Sequence, residues 1–419
     1  MILASVSLFL LCGCKDNPPV DGGDEGNGSQ TTTPTQDRML LEASFLQHWY
    51  VMTWDDVRWD REMRILADAG IKYLVFTPLK DGDSQADYDS LEKCLQSATS
   101  LGIKVFVGTN THQSWWDSTI GADWLNARMQ EGVDIAGEAY RRFHSIYPSA
   151  LYGWYWDWEV DNAAWTGRVE MLADAWNITL DGLSSLDASM PLLFSPFMAP
   201  SLGSPAGYRD FWKNMFARLH LRKGDIFAPQ DCSGSYGLNP STVKSWFYQL
   251  SEAAKTVQGL EFWANLELFR QFNLFGNAYF VTAPFSELPE QIKAVEPFVS
   301  KLMCFSYTHY YSSMQVRDGY HNAYLAFARD GSIPREDIPG RVNSATISVG
   351  SGVELRWHII TKTGVDGFSI YKNGELYLRL QVTGGEYPDY FYDYNGTKSD
   401  VYQICTYNIL GDESARVSF

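Results

Sequence analysis

Ala69-Gly70-Ile71-Lys72-Tyr73-Leu74-Val75-Phe76 and, one unit further along, Leu101-Gly102-Ile103-Lys104-Val105-Phe106-Val107 repeat one message. Each closes a stretch whose apolar residues recur at helical spacing, puts Gly where a helix ends in the left-handed conformation, and runs on into an apolar segment suited to a strand buried on both faces. That junction is the hallmark of a βα unit. Outward from it, short β-rich runs alternate with helix-length segments, and eight strands are expected to begin near Phe45, Lys72, Lys104, Leu151, Pro191, Asp225, Glu261 and Lys301. Eight units closing into a ring predict an α/β fold, a (β/α)8 TIM barrel over residues 39–335. Helix starts are expected at Asn239-Pro240-Ser241 and Ser286-Glu287-Leu288-Pro289, where a capping side chain precedes Pro, and a short eighth helix around Tyr320 to Ala328.

Beyond Ile338-Pro339-Gly340 the pattern changes to short alternating strands with turn residues between them: Val353 to Trp357, Gly367 to Glu375 with the hairpin pair Asn373-Gly374, and Val401 to Cys405. Residues 341–419 therefore predict a small all-β sandwich. With Trp357 on an early strand and Tyr402 at a corner position, the tail resembles a fibronectin type III domain. Such a resemblance implies a spacer or docking module without chemistry.

At the other end, Ile2 to Leu11 is apolar but too short to span a bilayer, and it closes on Leu11-Cys12-Gly13-Cys14. That ending resembles a bacterial lipobox, which implies residues 1–14 as a signal peptide with acylation at Cys14. Met1 is followed directly by apolar residues, so either the start codon lies upstream or the signal is atypical. Residues 15–38, rich in Gly, Asp, Asn, Thr and Pro, have little to bury and read as a flexible tether. An exported lipoprotein of the cell envelope is expected, in the outer membrane or periplasm, membrane-bound through its lipid and monomeric.

The 50 acidic against 33 basic residues give a formal net charge of -17, which repels a phosphate backbone and argues against nucleic acid as a partner. The six cysteines show no CxxC spacing and the seven histidines no HxH or HxxxH, so no metal and no cofactor are expected. Neither a GxSxG elbow nor a phosphate-binding glycine loop is present. Aromatic residues make up 15% of the chain, enough for some rings to face a ligand.

In a parallel barrel the working residues sit at the C-terminal ends of the strands, so acids there carry the signal. Strand four runs Tyr152-Gly153-Trp154-Tyr155-Trp156-Asp157-Trp158-Glu159, and strand seven Phe262-Trp263-Ala264-Asn265-Leu266-Glu267. Carboxylates among so many apolar side chains are costly unless they have partners or work to do. Two of them facing each other across a barrel mouth suit glycosidic cleavage, in which one acid protonates the departing oxygen and the other attacks the sugar or activates water. Carboxylates at the ends of strands four and seven resemble the retaining glycosidases of clan A, the 4/7 hydrolases. The resemblance implies Glu159 as acid/base and Glu267 as nucleophile. It departs from that clan at Trp158, where the clan has an Asn touching the sugar 2-hydroxyl. The Trp/Tyr-rich motif before Glu159 also resembles an uncharacterised bacterial family of glycosidase-like barrels, domain of unknown function 4434, and implies the barrel fold.

Asp157 shares the alternation phase of Glu159, and strand six ends in Gln230-Asp231. An alternative pairing of Asp157 with Asp231 resembles retaining α-glycosidase barrels; otherwise Asp157, Gln230, Asp231 and Asn265 are expected to bind sugar hydroxyls. His48 and Trp49 after strand one, Asn110, His112, Trp115 and Trp116 after strand three, and Tyr307, His309 and Tyr310 after strand eight supply the rings, amides and imidazoles that line a carbohydrate cleft. A glycoside hydrolase is the leading expectation. A non-catalytic glycan-binding lipoprotein is the second, and a structural envelope protein the third. Arg270 is near enough in sequence to reduce Glu267 to a plain salt-bridge partner.

Overall fold

Eight parallel strands close on themselves. They are β1 (Leu41–Gln47), β2 (Tyr73–Thr77), β3 (Lys104–Gly108), β4 (Leu151–Trp156), β5 (Leu192–Phe194), β6 (Ile226–Phe227), β7 (Glu261–Glu267) and β8 (Lys301–Phe305). Each pairs in parallel with the next, and β8 pairs back with β1. The computed structural model describes residues 38–419; the expected leader with Cys14, and the tether up to residue 37, lie outside the described residues.

The repeated glycine junction behaves as its chemistry requires. Gly102 ends the helix Tyr88–Leu101 at φ 69°, donating its N–H to the carbonyls of Ala98 and Thr99. Asn239 caps the helix Pro240–Ala254 by accepting the Thr242 N–H. The second expected cap is different: the helix Leu288–Val295 follows a 3-10 turn, Phe285–Glu287, and has no side-chain cap. Ser286 donates its hydroxyl to the Leu410 carbonyl instead, so the tail takes the hydroxyl that a cap would have used.

Alternation along the strands makes two cores. Residues pointing into the barrel pack as Ala43, Phe45, Val75, Phe106, Tyr155, Leu193, Ile226, Ala228, Trp263 and Met303. Residues of the opposite phase, among them Trp154 and Trp156, pack against the surrounding helices. Trp156 stacks on Trp176 with ring centroids 4.0 Å apart, and Trp176, Trp212 and Phe194 continue the cluster. Each such ring pair adds about 0.5–1.5 kcal/mol beyond area burial. Much of the aromatic excess is therefore wall, not ligand platform.

Followed upward, the inward phase turns polar at the ends of most strands or just beyond them. It reads Phe45 then Gln47, Val75 then Thr77, Tyr155 then Asp157, Leu193 then Ser195, Ala228 then Gln230, and Trp263 then Asn265 and Glu267. An apolar plug is thus roofed by a polar floor at the C-terminal mouth.

The tail is a two-sheet sandwich. Ser344–Val349, Val353–His358 and Tyr390–Asp393 form one antiparallel sheet; Glu375–Gln381, Gly367–Lys372, Tyr402–Tyr407 and Val417–Ser418 form the other. Trp357 is buried in its core, and Asn373 and Gly374 make the tight turn at φ 54° and 90°. The Tyr402 hydroxyl donates to Asp393 Oδ2 at 2.7 Å, and Lys372 Nζ pairs with the same oxygen at 2.8 Å. Barrel and sandwich together form one compact unit, Met39–Phe419.

Candidate active site

Glu159 follows β4 and is almost fully buried. Its Oε1 accepts the Nε2 amide of Gln230 at 2.9 Å, and its main-chain carbonyl accepts Trp115 Nε1 at 2.5 Å. The same Gln230 amide also donates to the Ser195 carbonyl at 3.1 Å, which fixes its orientation. Burial pushes the Glu159 carboxyl upward, and one side-chain donor only partly offsets that.

Glu267, the last residue of β7, is held differently. Oε2 accepts the backbone N–H groups of Gly234 and Ser235, both at 2.7 Å, and Oε1 accepts the Ser235 hydroxyl at 2.8 Å. Successive N–H groups converging on one oxygen make an anion-binding nest. Burial raises this carboxyl and the nearby Asp231 charge raises it further, and the three donors offset only part of that, leaving it pushed up to about 8.

One segment, Gln230 to Ser235, therefore touches both glutamates. Its backbone is bent at Cys232, which takes φ 54°, a conformation rarely adopted by residues with a side chain, and accepts the Tyr236 N–H on its carbonyl at 3.2 Å. A Cβ at Gly234 would collide with the carbonyl and ring of Phe269, so only glycine lets the nest approach this closely.

Asp231 is enclosed. Oδ1 accepts the Glu267 N–H at 3.0 Å and the Ser233 N–H at 3.3 Å; Oδ2 accepts Gln291 Nε2 at 2.9 Å and the Ser233 hydroxyl. Four protein donors leave it no lone pair for a sugar, and it ties β6 to the end of β7. Asp157 is likewise taken up, accepting the Thr77 hydroxyl and, at 2.6 Å, the Thr109 N–H; burial raises its carboxyl to about 8. Asn265 donates to Ser195 Oγ at 3.0 Å in the same floor, with its Oδ1 buried and unpaired.

The remaining candidates divide. Trp49 is 53% exposed beside His309, ring centroids 5.4 Å apart, and His48 Nε2 meets Asp87 Oδ2 at 2.7 Å. His309 packs on Tyr50 with centroids 4.0 Å apart and the rings tilted by 31°, and burial pushes its imidazole down to about 3. Trp116 packs on Phe197 at 5.8 Å. His112 spends Nδ1 on the Ser114 N–H and meets Trp124 edge-on. Trp115 is buried against Trp165 and Trp158, behind the Glu159 backbone. Asn110 does not face the mouth: its amide donates to the Arg128 carbonyl and Glu131 under the helix Ala122–Phe143. Tyr307 turns away too, fully buried, with its hydroxyl on His321 Nδ1 at 2.8 Å and its ring on Tyr311 and Tyr324. Trp158 packs against Trp115 and Trp124. Arg270 is not a partner of Glu267; it binds the Ser233 carbonyl and Glu287.

Sequence reasoning passed over Ser195, Gly234, Ser235 and Tyr236. Tyr236 is 43% exposed, and its phenol is pushed up to about 12, chiefly by burial, with Glu267 and Glu159 among the acidic groups adding to the rise. It therefore sits within the field of both carboxylates. The run Ser233-Gly234-Ser235 directly after a strand end was the legible cue, because small residues there free backbone N–H groups to converge. Among the described residues no group of three or more His, Cys, Asp and Glu side chains is placed to hold a metal ion.

A barrel whose strand-four glutamate follows a Trp/Tyr run is the setting in which the family comparison becomes informative. Residues 41–317 match the model described as a domain of unknown function, DUF4434. The chain belongs to that family. No curated protein matches this DUF4434 chain. Among solved structures, a Bacteroides thetaiotaomicron protein described as a "putative alpha-L-fucosidase" superposes with a TM-score of 0.59 at 17% identity, covering 72% of this chain and 99% of that one. This likeness shows a shared fold. A glycoside hydrolase family 5 protein from Bacteroides vulgatus has 10% identity over 87% of this chain and 88% of its own, with a TM-score of 0.43. The intracellular xylanase TsXylA from Thermoanaerobacterium saccharolyticum has 12% identity over 64% and 85%, with a TM-score of 0.42. Those two likenesses are too loose to bear on fold or function.

Proposed function

We propose that this DUF4434 protein is a retaining glycoside hydrolase acting on an extracytoplasmic glycan, with Glu159 as acid/base and Glu267 as nucleophile. The observation that carries the reading is the unequal support the segment Gln230 to Ser235 gives the two carboxylates. Glu267 receives three donors, which oppose the rise to about 8 that burial and Asp231 impose and which hold the carboxylate once it is ionised; Glu159 is buried with a single side-chain donor, so burial keeps its proton in place.

A glycosidic bond laid across the mouth reacts in the form in which Glu267 is ionised, held by its three donors, and Glu159 keeps its proton. An oxygen of Glu267 attacks the anomeric carbon as the bond to the leaving oxygen breaks, and Glu159 gives that oxygen its proton. The alcohol departs and a glycosyl ester remains on Glu267. Glu159, now a carboxylate, takes a proton from water whose oxygen attacks the same carbon; the ester breaks and both groups return to their starting states. In the pairing of Asp157 with Asp231 the acid would be Asp231, whose oxygens accept from four protein donors and tie β6 to the end of β7, which leaves it no proton to give a departing oxygen.

Uncharged sugars fit best. Arg270 is spent on Ser233 and Glu287, and Arg58 on the Tyr50 hydroxyl and Glu62, so the nearby cations have other partners while the acids crowd the floor. We read the tail as fibronectin type III-like from its three-plus-four strands and the Tyr402 bond to Asp393, and the location as the cell envelope, through acylated Cys14.

The test is a panel of neutral and uronic-acid glycans given to the tether-free protein, with Glu159→Gln and Glu267→Gln in parallel. Each variant is expected to melt like the parent and to lose turnover of a neutral substrate. Normal cleavage by both variants would overturn the assignment.

A further inference from the structure

Directly after Glu267 the chain leaves the barrel as a hairpin, Phe269–Leu274 paired with Asn277–Thr282. Its tip carries Phe275 at φ 53° beside Gly276 at φ 85°. An aromatic residue in the left-handed region is strained, and the contact it gains is with the sandwich: Phe275 lies parallel to Phe391 with centroids 6.2 Å apart and edge-on to Tyr394 at 5.0 Å. Phe272 and Leu274 pack on the same sandwich core. At the hairpin's far end the Thr282 N–H donates to Gln381 Oε1 at 3.0 Å, and Gln381 is tied through Asp366 to Tyr320 of the barrel.

The base of the hairpin grips the nest. The Gln271 N–H donates to the Gly234 carbonyl at 3.1 Å, Arg270 binds the Ser233 carbonyl, and Phe269 closes on Gly234 so tightly that no Cβ fits. Gly234 and Ser235 in turn hold the Glu267 carboxylate.

We propose that the C-terminal sandwich is a working part of the active site: through the hairpin Phe269–Thr282 it fixes the Ser233 to Ser235 nest and hence Glu267, with Phe275 as the positioning residue that couples them. The inference rests on the catalytic reading of Glu267 for its consequence, but not for its physics. A loop whose hydrogen bonds depend on a docked hairpin opens more often when the docking is weakened.

Hydrogen exchange in the full chain tests it, with Phe275→Ala, Phe275→Tyr and, on the sandwich side, Phe391→Leu. Exchange at Gly234 and Ser235 is expected to quicken roughly tenfold in Phe275→Ala and Phe391→Leu while the β4 and β7 amides stay protected, and Phe275→Tyr is expected to restore it. On a glycan the parent cleaves, kcat falls with exchange and KM stays within about twofold, as loss of orientation requires. Faster exchange at the hairpin tip with no change at Gly234 and Ser235 in both loosening variants overturns the coupling. If Phe275→Ala unfolds, Phe391→Leu decides by the same two readings. A parent inactive on every glycan sinks the glycosidase reading alone, because the exchange comparison needs no substrate.

Discussion

Gln230 Nε2 donates to Glu159 Oε1 at 2.9 Å, and the residue after Gln230 accepts the N–H of Glu267, so neighbours on one strand end reach the two glutamates. The donor to Glu159 stabilises the ionised carboxylate and opposes the upward push of burial.

Replacing Gln230 with Leu removes that donor. A hydrogen bond to a charged group contributes about 1.5–3 kcal/mol to the ionised form, so without it the Glu159 carboxyl should rise further. The alkaline limb of the kcat/KM profile reports the proton on the acid and is expected to move to higher pH; a stationary limb would mean that Gln230 does not set Glu159.

Gly234→Ala forces a Cβ onto the carbonyl and ring of Phe269. The nest must retreat, and displacement of a reacting group by an ångström costs on the order of a hundredfold in rate. A fall of that size in kcat with a folded protein is the expected outcome, and unchanged kcat would show that the nest does not position Glu267.

Asp231→Asn separates a structural acid from a catalytic one. The amide nitrogen would face donors that now meet a carboxylate, which costs roughly 1–3 kcal/mol of stability. Thermal melts should fall while measurable turnover survives. Full stability with abolished turnover would instead favour the pairing with Asp157.

The barrel fold was legible because its strands are buried on both faces and its helix ends carry glycine. Gly70 and Gly102 punctuate identical junctions, and the runs after them could hardly be anything but inner strands. The division of labour among the acids was hidden. Asp157 and Glu159 are two residues apart in the same phase, and only Thr77 and Thr109, brought in from other strands, reveal that Asp157 belongs to the floor. Asn110 and Tyr307 follow strand ends as mouth residues do, but the helix Ala122–Phe143 and His321 claim their polar atoms. Contacts made by distant segments leave no local trace.

Glu62 offers a test of stability against pH. It is enclosed on the helix Asp56–Asp68, with Ser312 donating to Oε2 at 2.6 Å and the Arg58 guanidinium 3.6 Å from Oε1, too far for a hydrogen bond, and burial pushes it from 4.5 to about 7. Because the folded state favours the protonated form, its contribution is complete below the ordinary value and is lost as pH rises through about 7. A tenfold change in ionisation corresponds to about 1.4 kcal/mol. Melting temperature should therefore decline between about pH 4.5 and about pH 7, and Glu62→Gln should decline less steeply. Parallel curves for the two proteins would show that Glu62 stays ionised when folded.

The most direct test of Glu267 as nucleophile is covalent trapping with a 2-deoxy-2-fluoro glycoside of whichever sugar the protein cleaves, followed by peptide mass analysis. The expected result is one glycosyl adduct on the peptide carrying Glu267, absent from Glu267→Gln. An adduct on another carboxylate, or turnover that releases the inverted anomer with no adduct, would contradict it.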